Sequence, residues 1–164
     1  MERSEGFPPI AAADARILIL GSLPGERSIA EQQYYAHPQN AFWRIMQDVF
    51  GIAGDYTARC KLLMDNGVAL WDVLHSSVRP GSMDSNIRLD GARANDFISF
   101  LAQHERIERV LCNGRKAGQL FTRMVMPELS IDLPVEIMPS TSPAFAAMRY
   151  DMKLEKWRAA LSAR

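Results

Sequence analysis

The residues best equipped for chemistry crowd into one stretch, Ile17 to Trp43, ILILGSLPGERSIAEQQYYAHPQNAFW. It joins a turn, Gly21-Ser22-Leu23-Pro24-Gly25, to two aromatics (Tyr34 and Tyr35), His37 and the amide of Asn40. Such a set suits a small planar ligand, either a free molecule or a base presented by nucleic acid. Glycines let a backbone approach a ligand closely. The turn is neither the phosphate-cradling P-loop, which needs Gly-Lys-Ser/Thr, nor the dinucleotide fingerprint. Taken alone it also reads as a tight strand-to-loop connection.

Further along the stretch, each residue has a chemical and a plain reading. Adjacent side chains in a loop diverge, so one of Tyr34 and Tyr35 can fill the core while Tyr35 presents its ring to a base, a stack worth roughly 1–3 kcal/mol. His37 precedes Pro38 and is held extended; it either donates to a ligand or ties the loop down. Asn40 stands where a helix N-cap belongs, directly before Phe42 and Trp43. Asp72 at a strand end offers a base-edge acceptor or caps the next turn. Asn113, in Asn113-Gly114, is a further strand-end amide. The loop Pro139 to Ala144 carries Ser140, Thr141 and Ser142 between Pro139 and Pro143. Its hydroxyls and backbone N–H groups suit phosphate contact, and the apolar residues after them suit wedging into a base stack.

Hydrophobic patterning predicts the elements that position these groups. Continuous apolar runs of strand length occur at Arg16–Gly21, Val68–Val73, Arg109–Asn113 and Pro134–Met138. Helical spacing follows at Phe42, Met46, Val49 and Phe50 with Gly51 as stop, and Thr57 is placed to cap a helix through Asp65. Phe97, Ile98 and Leu101 mark another helix, Ala117, Leu120, Phe121 and Met124 another, and Leu154, Trp157 and Leu161 the last. Residues 1–15 read as a lead-in that packs Phe7 and Ile10 without forming an element. His75 to Gly91 reads as a long loop, a length that is usually functional or disordered. Alternating strands and helices predict an α/β fold with a parallel sheet covered on both faces. Ligands in such sheets bind beyond the C-terminal strand ends, so Gly21–Gly25, Asp72–Val73, Asn113–Gly114 and Pro139–Ser142 should form one site.

Bulk properties narrow the function classes. The 164 residues suit a single domain of ordinary globular composition, 48% hydrophobic and 23% charged. No apolar run could span a bilayer, and the N-terminus lacks a signal-peptide core, so a cytoplasmic protein is expected. Formal charge is zero, which argues against strong nonspecific nucleic-acid binding. Arg149, Lys153, Lys156 and Arg158 cluster beside the Pro139 loop, a run that normally marks a solvated helix face. Cys60 and Cys112, the only cysteines, read as buried thiols; two cannot supply the four thiolates of an iron–sulfur cluster. With three scattered His, no metal-site spacing is visible.

Together GSLPGERS, QQYYAHPQNAFW, LWDVL, NGRKA and PSTSPAFA resemble the uracil-DNA glycosylase superfamily, nearest its hypoxanthine-DNA glycosylase (DNA-deoxyinosine glycosylase) branch. The resemblance runs from about Phe7 to the last helix. It implies a three-layer α/β/α sandwich with a four-stranded parallel sheet. It also implies a DNA substrate containing deaminated bases, no cofactor, and a monomer. The superfamily's first motif often carries Asn or Asp where this chain has Leu23, which has no polar atom to hold water. In the hypoxanthine branch the catalytic amide corresponds to Asn40, with His37 beside it, the stacking aromatic to Tyr35, and the minor-groove insertion loop to Pro139–Ala144. Gly21 to Gly25, Asp72 and Asn113 would contact the base, and Ser140 to Ala144 the DNA.

No lysine lies in either motif to form a Schiff base, so strand cleavage is not expected. The alternatives are a uracil or broad deaminated-base glycosylase, and a noncatalytic damaged-DNA-binding module. A small-molecule nucleotide enzyme is suggested by fold alone, a weak ground.

Overall fold

The computed structural model describes residues 3–78 and 88–162. Four parallel strands build the central sheet: β2 (Ile17–Gly21), β3 (Val68–Asp72), β6 (Arg109–Asn113) and β7 (Val135–Met138), in the order β3-β2-β6-β7. Successive side chains of a strand point to opposite faces, so these unbroken apolar runs need cover on both sides. Leu18, Leu20, Trp71, Val110 and Cys112 enter one core; Ile17, Ile19, Val68, Leu70 and Leu111 enter the other. Full burial of such a side chain stabilises by roughly 1.5–3 kcal/mol.

Helices supply the two outer layers. α4 (Phe97–Gln103) and α5 (Arg115–Leu120) bury Phe97, Phe100, Leu101, Ala117 and Leu120 in the first core. α2 (Phe42–Phe50), α3 (Tyr56–Asp65) and α6 (Tyr150–Ser162) bury Phe42, Trp43, Ile45, Met46, Leu63 and Trp157 in the second. The expected three-layer α/β/α sandwich is therefore the observed one. The connection leaving β2 runs through α2 and α3 on one face, whereas that leaving β6 runs through α5 on the other. A crevice opens where connections diverge in this way.

Several local expectations are corrected. The lead-in forms β1 (Arg3–Glu5), and Ile10 exchanges two backbone hydrogen bonds with Leu70 at 2.9 and 2.8 Å. The expected loop His75 to Gly91 is strand at both ends, β4 (Leu74–Val78) and β5 (Arg88–Ala94), in an antiparallel sheet ordered β1-β4-β5; 79–87 lie outside the described residues. Polar composition hid these strands because cross-strand pairing, not intrinsic propensity, decides such cases. The polar segment after Gly25 forms a short helix, α1 (Glu26–Glu31), too brief to show a period. Asp55, not Thr57, caps α3, its side chain accepting from the Ala58 N–H at 2.8 Å. In α4, Phe100 faces inward and Ile98 is 58% exposed. After α5 a π-helical turn, Phe121–Val125, widens the spiral, so Val125 follows Phe121 into the core while Met124 packs half-buried against it.

The two thiols differ in setting. Cys112 is fully buried in β6, and burial pushes its thiol up to about 12. Cys60 is only half-buried; desolvation raises it, opposed by its Tyr56 hydrogen bond and by Arg59. Because the thiolate is the reactive form, a thiol reagent near neutral pH should modify Cys60 slowly. It should reach Cys112 only after denaturation. Rapid modification of both thiols in the native protein would contradict this placement.

Candidate active site at the strand ends

β2 ends at Gly21, which stands opposite Asp72 at the end of β3. A Cβ on Gly21 would lie 2.5 Å from Asp72 Oδ1 and 2.9 Å from the Tyr35 hydroxyl oxygen. A carboxylate and a phenol thus converge over one Cα, where only hydrogen fits. Asp72 is 4% exposed, and its main-chain carbonyl accepts from Asn95 Nδ2 at 2.8 Å. Burial first, and the Asp72 charge second, push the Tyr34 phenol far above its ordinary value, which keeps it protonated. The turn beyond Gly21 is pinned to the chain leaving β3: Val73 N–H donates to Gly21 O at 2.8 Å, and Leu74 N–H to Ser22 O at 3.1 Å. Ser22, Leu23 and Pro24 are buried, and Leu23 belongs to the core that holds Val73 and Leu74. Gly25 begins α1, its carbonyl accepting from Ile29 N–H at 3.0 Å.

The loop between α1 and α2 separates its two tyrosines by backbone conformation. Tyr35 takes a left-handed φ of 55°, uncommon outside glycine. Tyr34 turns inward: its hydroxyl donates to Pro8 O at 2.9 Å, its N–H to the Tyr56 hydroxyl at 3.0 Å, and its carbonyl accepts from Trp43 Nε1 at 2.8 Å. Tyr35 remains half-buried with its ring 4.3 Å from that of Phe42. The buried Ser28 Oγ of α1 accepts from Ala36 N–H at 3.1 Å and fixes the far side of the turn.

His37 is exposed and ties down the next turn. Its Nδ1 accepts from Gln39 N–H at 3.1 Å, and its carbonyl from Asn40 N–H at 2.9 Å. With Nδ1 accepting, the neutral ring carries its proton on Nε2. Asn40 is half-buried, and its Oδ1 accepts from Phe42 N–H at 3.0 Å.

The other two strand ends meet the same loop. Asn113 and Thr141 are 7% and 1% exposed. Asn113 Nδ2 donates to Thr141 Oγ1 at 2.9 Å, and Thr141 N–H donates to Asn113 Oδ1 at 3.0 Å. Thr141 O then accepts from Ala41 N–H at 2.9 Å, next to Asn40. Ser140 Oγ accepts from Ser142 N–H at 3.1 Å and Ser142 Oγ from Ala144 N–H at 3.2 Å, so two hydroxyls stiffen the loop. Trp157 Nε1 holds Pro139 O at 3.0 Å. Lys153 Nζ donates to Phe145 O at 2.8 Å and lies 5.1 Å from the Phe145 ring. Pro143, Ala144 and Phe145 form an exposed tip.

The structure gathers Gly21, Tyr35 and Asp72 at one point and Asn40, Asn113 and Thr141 at another. Leu23 and Thr141 are both buried rather than surface-facing. The basic cluster is not one solvated face: Lys153 is 6% exposed, desolvation lowers its pKa, and Arg158 donates to Asp48 O at 3.2 Å. Sequence reasoning missed Ser28 and the burial of Lys153. Lys153 did carry a signal, since it precedes Trp157 by four residues on the same apolar stripe of α6. Among the described residues, no group of three or more His, Cys, Asp or Glu side chains could hold a metal ion. An acceptor, an aromatic ring and a fixed amide beside a stiff hydroxyl-rich loop suit a planar heterocycle joined to a phosphate backbone. Replacing Gly21 with Ala should drive Asp72 and Tyr35 apart and cost about 1–3 kcal/mol by overpacking. Chemical denaturation checks this, and unchanged stability would contradict the close approach.

Comparison with known proteins identifies the family of this fold. The family model described as the uracil DNA glycosylase superfamily matches residues 8–163. A hypoxanthine DNA glycosylase of Methanosarcina barkeri is 38% identical over 120 residues, covering 71% of this chain and 75% of its own. A protein of the same name from Methanosarcina acetivorans is 39% identical over 117 residues, covering 70% and 73%. A solution NMR structure from Methanosarcina acetivorans, of a candidate uracil DNA glycosylase, superposes with a TM-score of 0.82 at 32% identity, covering 98% of this chain and 97% of the other. With a family match along nearly its whole length and the site at its strand ends, the chain belongs to the uracil DNA glycosylase superfamily.

Proposed function

We propose that this protein is a monofunctional DNA glycosylase that hydrolyses the N-glycosidic bond of a flipped deaminated base, with hypoxanthine in deoxyinosine as its main substrate. The observation that carries the reading is the fixed amide of Asn40, whose Oδ1 is 3.0 Å from the Phe42 nitrogen. A carbonyl oxygen has two lone pairs. One accepts the helix N–H; the other accepts a hydrogen from the attacking water. Leu23 lies in the core and has no polar atom, so the water needs a holder elsewhere. The two archaeal relatives named as hypoxanthine DNA glycosylases support the choice of base.

The chemistry follows from what each group can do. The target base must leave the stack at a cost of a few kcal/mol, least for a mispaired base. Tyr35 stacks on the extruded ring, and the exposed tip at Pro143–Ala144 takes its place against the duplex. Hypoxanthine offers a carbonyl at C6 and an N1–H. Backbone N–H groups of the Ser22–Leu23 turn donate to the carbonyl, and the Asp72 carboxylate accepts the N1–H. Adenine reverses both, with an amino donor at C6 and a lone pair at N1, so buried groups would face their own kind. The C1′–N9 bond breaks with its electron pair leaving on the base; water oxygen then adds to C1′ and releases one proton to solvent while the base takes up one proton from solvent, giving free base and an abasic sugar. An amide is too weak a base to deprotonate water, so the bond is largely broken before water adds. His37, three residues before Asn40 and exposed, offers its Nε2–H to the DNA or the leaving base. The enzyme acts as a cytoplasmic monomer.

A second reading, uracil as main substrate, is favoured by the Methanosarcina acetivorans structure described above. Single-turnover assays on oligonucleotides bearing one inosine or one uracil separate the two. Inosine release should be faster by about tenfold or more, a difference of about 1.4 kcal/mol in barrier. Robust uracil release with inert inosine would replace hypoxanthine by uracil, and damaged-DNA binding without release of either base would overturn the enzyme reading.

A further inference from the structure

We infer that Thr141, anchored by Asn113, is a positioning residue that sets the Asn40 amide for catalysis and couples it to the DNA-facing loop. The inference rests on the glycosylase reading above and adds to it how the site is held in register. Thr141 lies in the loop whose tip faces DNA, yet it is 1% exposed and its hydroxyl accepts from Asn113 at 2.9 Å. It therefore cannot serve as a phosphate contact in this arrangement. Its backbone works in two directions. The N–H is held by Asn113 Oδ1 at 3.0 Å, and the carbonyl accepts from Ala41 N–H at 2.9 Å. Ala41 follows Asn40 directly, so one peptide separates the Thr141 carbonyl from the amide that holds water.

Both sides of this link are stiff. On the strand side, Asn113 ends β6, and Gly114 takes a φ of 99° with its Cα packed close to Ser140. On the loop side, the Ser140 and Ser142 hydroxyls and Trp157 fix the backbone around Thr141. On the Asn40 side, the other hydrogen bonds among the described residues are local: its own bond to Phe42 N–H and the one from its N–H to the His37 carbonyl. The Thr141 carbonyl is thus a long-range hydrogen bond that ties this turn to the loop after β7. Displacement of a reacting group by about 1 Å can cost about a hundredfold in rate.

The test compares Thr141→Val, which keeps the shape and removes the hydroxyl, with Thr141→Ser, which keeps the oxygen. Single-turnover release of hypoxanthine at saturating protein is measured beside the Kd for the same inosine-containing duplex, at a temperature below each variant's Tm. Thr141→Val should slow release by about 10–100-fold with Kd within about threefold, because the loss is in the bound complex rather than in binding. Thr141→Ser should restore the rate to within about threefold of wild type. Asn113→Ala removes both hydrogen bonds from the strand side and should slow release at least as much as Thr141→Val; it decides the matter if Thr141→Val does not fold. Wild-type release rates in a folded Thr141→Val or Asn113→Ala protein would overturn the inference while leaving the glycosylase reading intact. So would a weakened Kd with an unchanged rate at saturation, the signature of a direct DNA contact. An inert wild-type protein would remove both.

Discussion

Two hydrogen bonds between Asn113 and Thr141 tie the end of β6 to the loop after β7 and, through it, to the turn before α2. A parallel sheet buried on both faces delivers its strand ends, with their unsatisfied polar groups, to one edge of the molecule. The amide at the end of β6 answers this by taking both a side-chain oxygen and a backbone N–H of the loop after β7. That loop passes its carbonyl to Ala41, and so fixes the turn before α2. Three segments far apart in sequence meet at a residue almost wholly buried. Any change in one is felt by the other two.

The opposite half of the site depends on an absence of bulk. At Gly21 the Asp72 carboxylate and the Tyr35 hydroxyl both come within 3 Å of where a Cβ would stand. The left-handed turn at Tyr35 brings its side chain there while Tyr34 is driven into the core. Strained backbone of this kind costs of order 1–3 kcal/mol and persists only where surrounding contacts enforce it. Here Ser28, Trp43 and Tyr56 do so. Ala41, not Asn40, is the N-cap of α2, yet bonding the first helical N–H and holding water are compatible in Asn40, because one carbonyl oxygen can accept twice.

Much of this was legible in the chain, for identifiable reasons. β6 matched its apolar run at both ends, and the other three parallel strands to within a residue, because burial on both faces leaves an uninterrupted signal. The small antiparallel sheet was not legible: its residues are polar, and its strands exist through pairing of β4 with both β1 and β5. Helix α1 was too short for a period, and the π-helical turn shifts inward positions by one residue, which no 3.6-residue template anticipates. At the site, residue types announced Gly21, Tyr35, Asn40 and Asp72, but not which groups would meet. Thr141 looked like a surface hydroxyl because a Ser/Thr-rich loop gives no sign of which residue turns inward. Lys153 looked like part of a charged face, although its place on the Trp157 stripe marks it as a buried strut.

In the proposed mechanism the fixed amide of Asn40, and not the turn containing Leu23, holds the attacking water. The most direct test is Asn40→Ala, measured as single-turnover hypoxanthine release from an inosine-containing oligonucleotide beside binding of the same DNA. The rate should fall by about 10²–10³-fold, the usual loss on removing one preorganised polar group, with DNA binding retained. Release within a few-fold of wild type in a folded Asn40→Ala protein would contradict it.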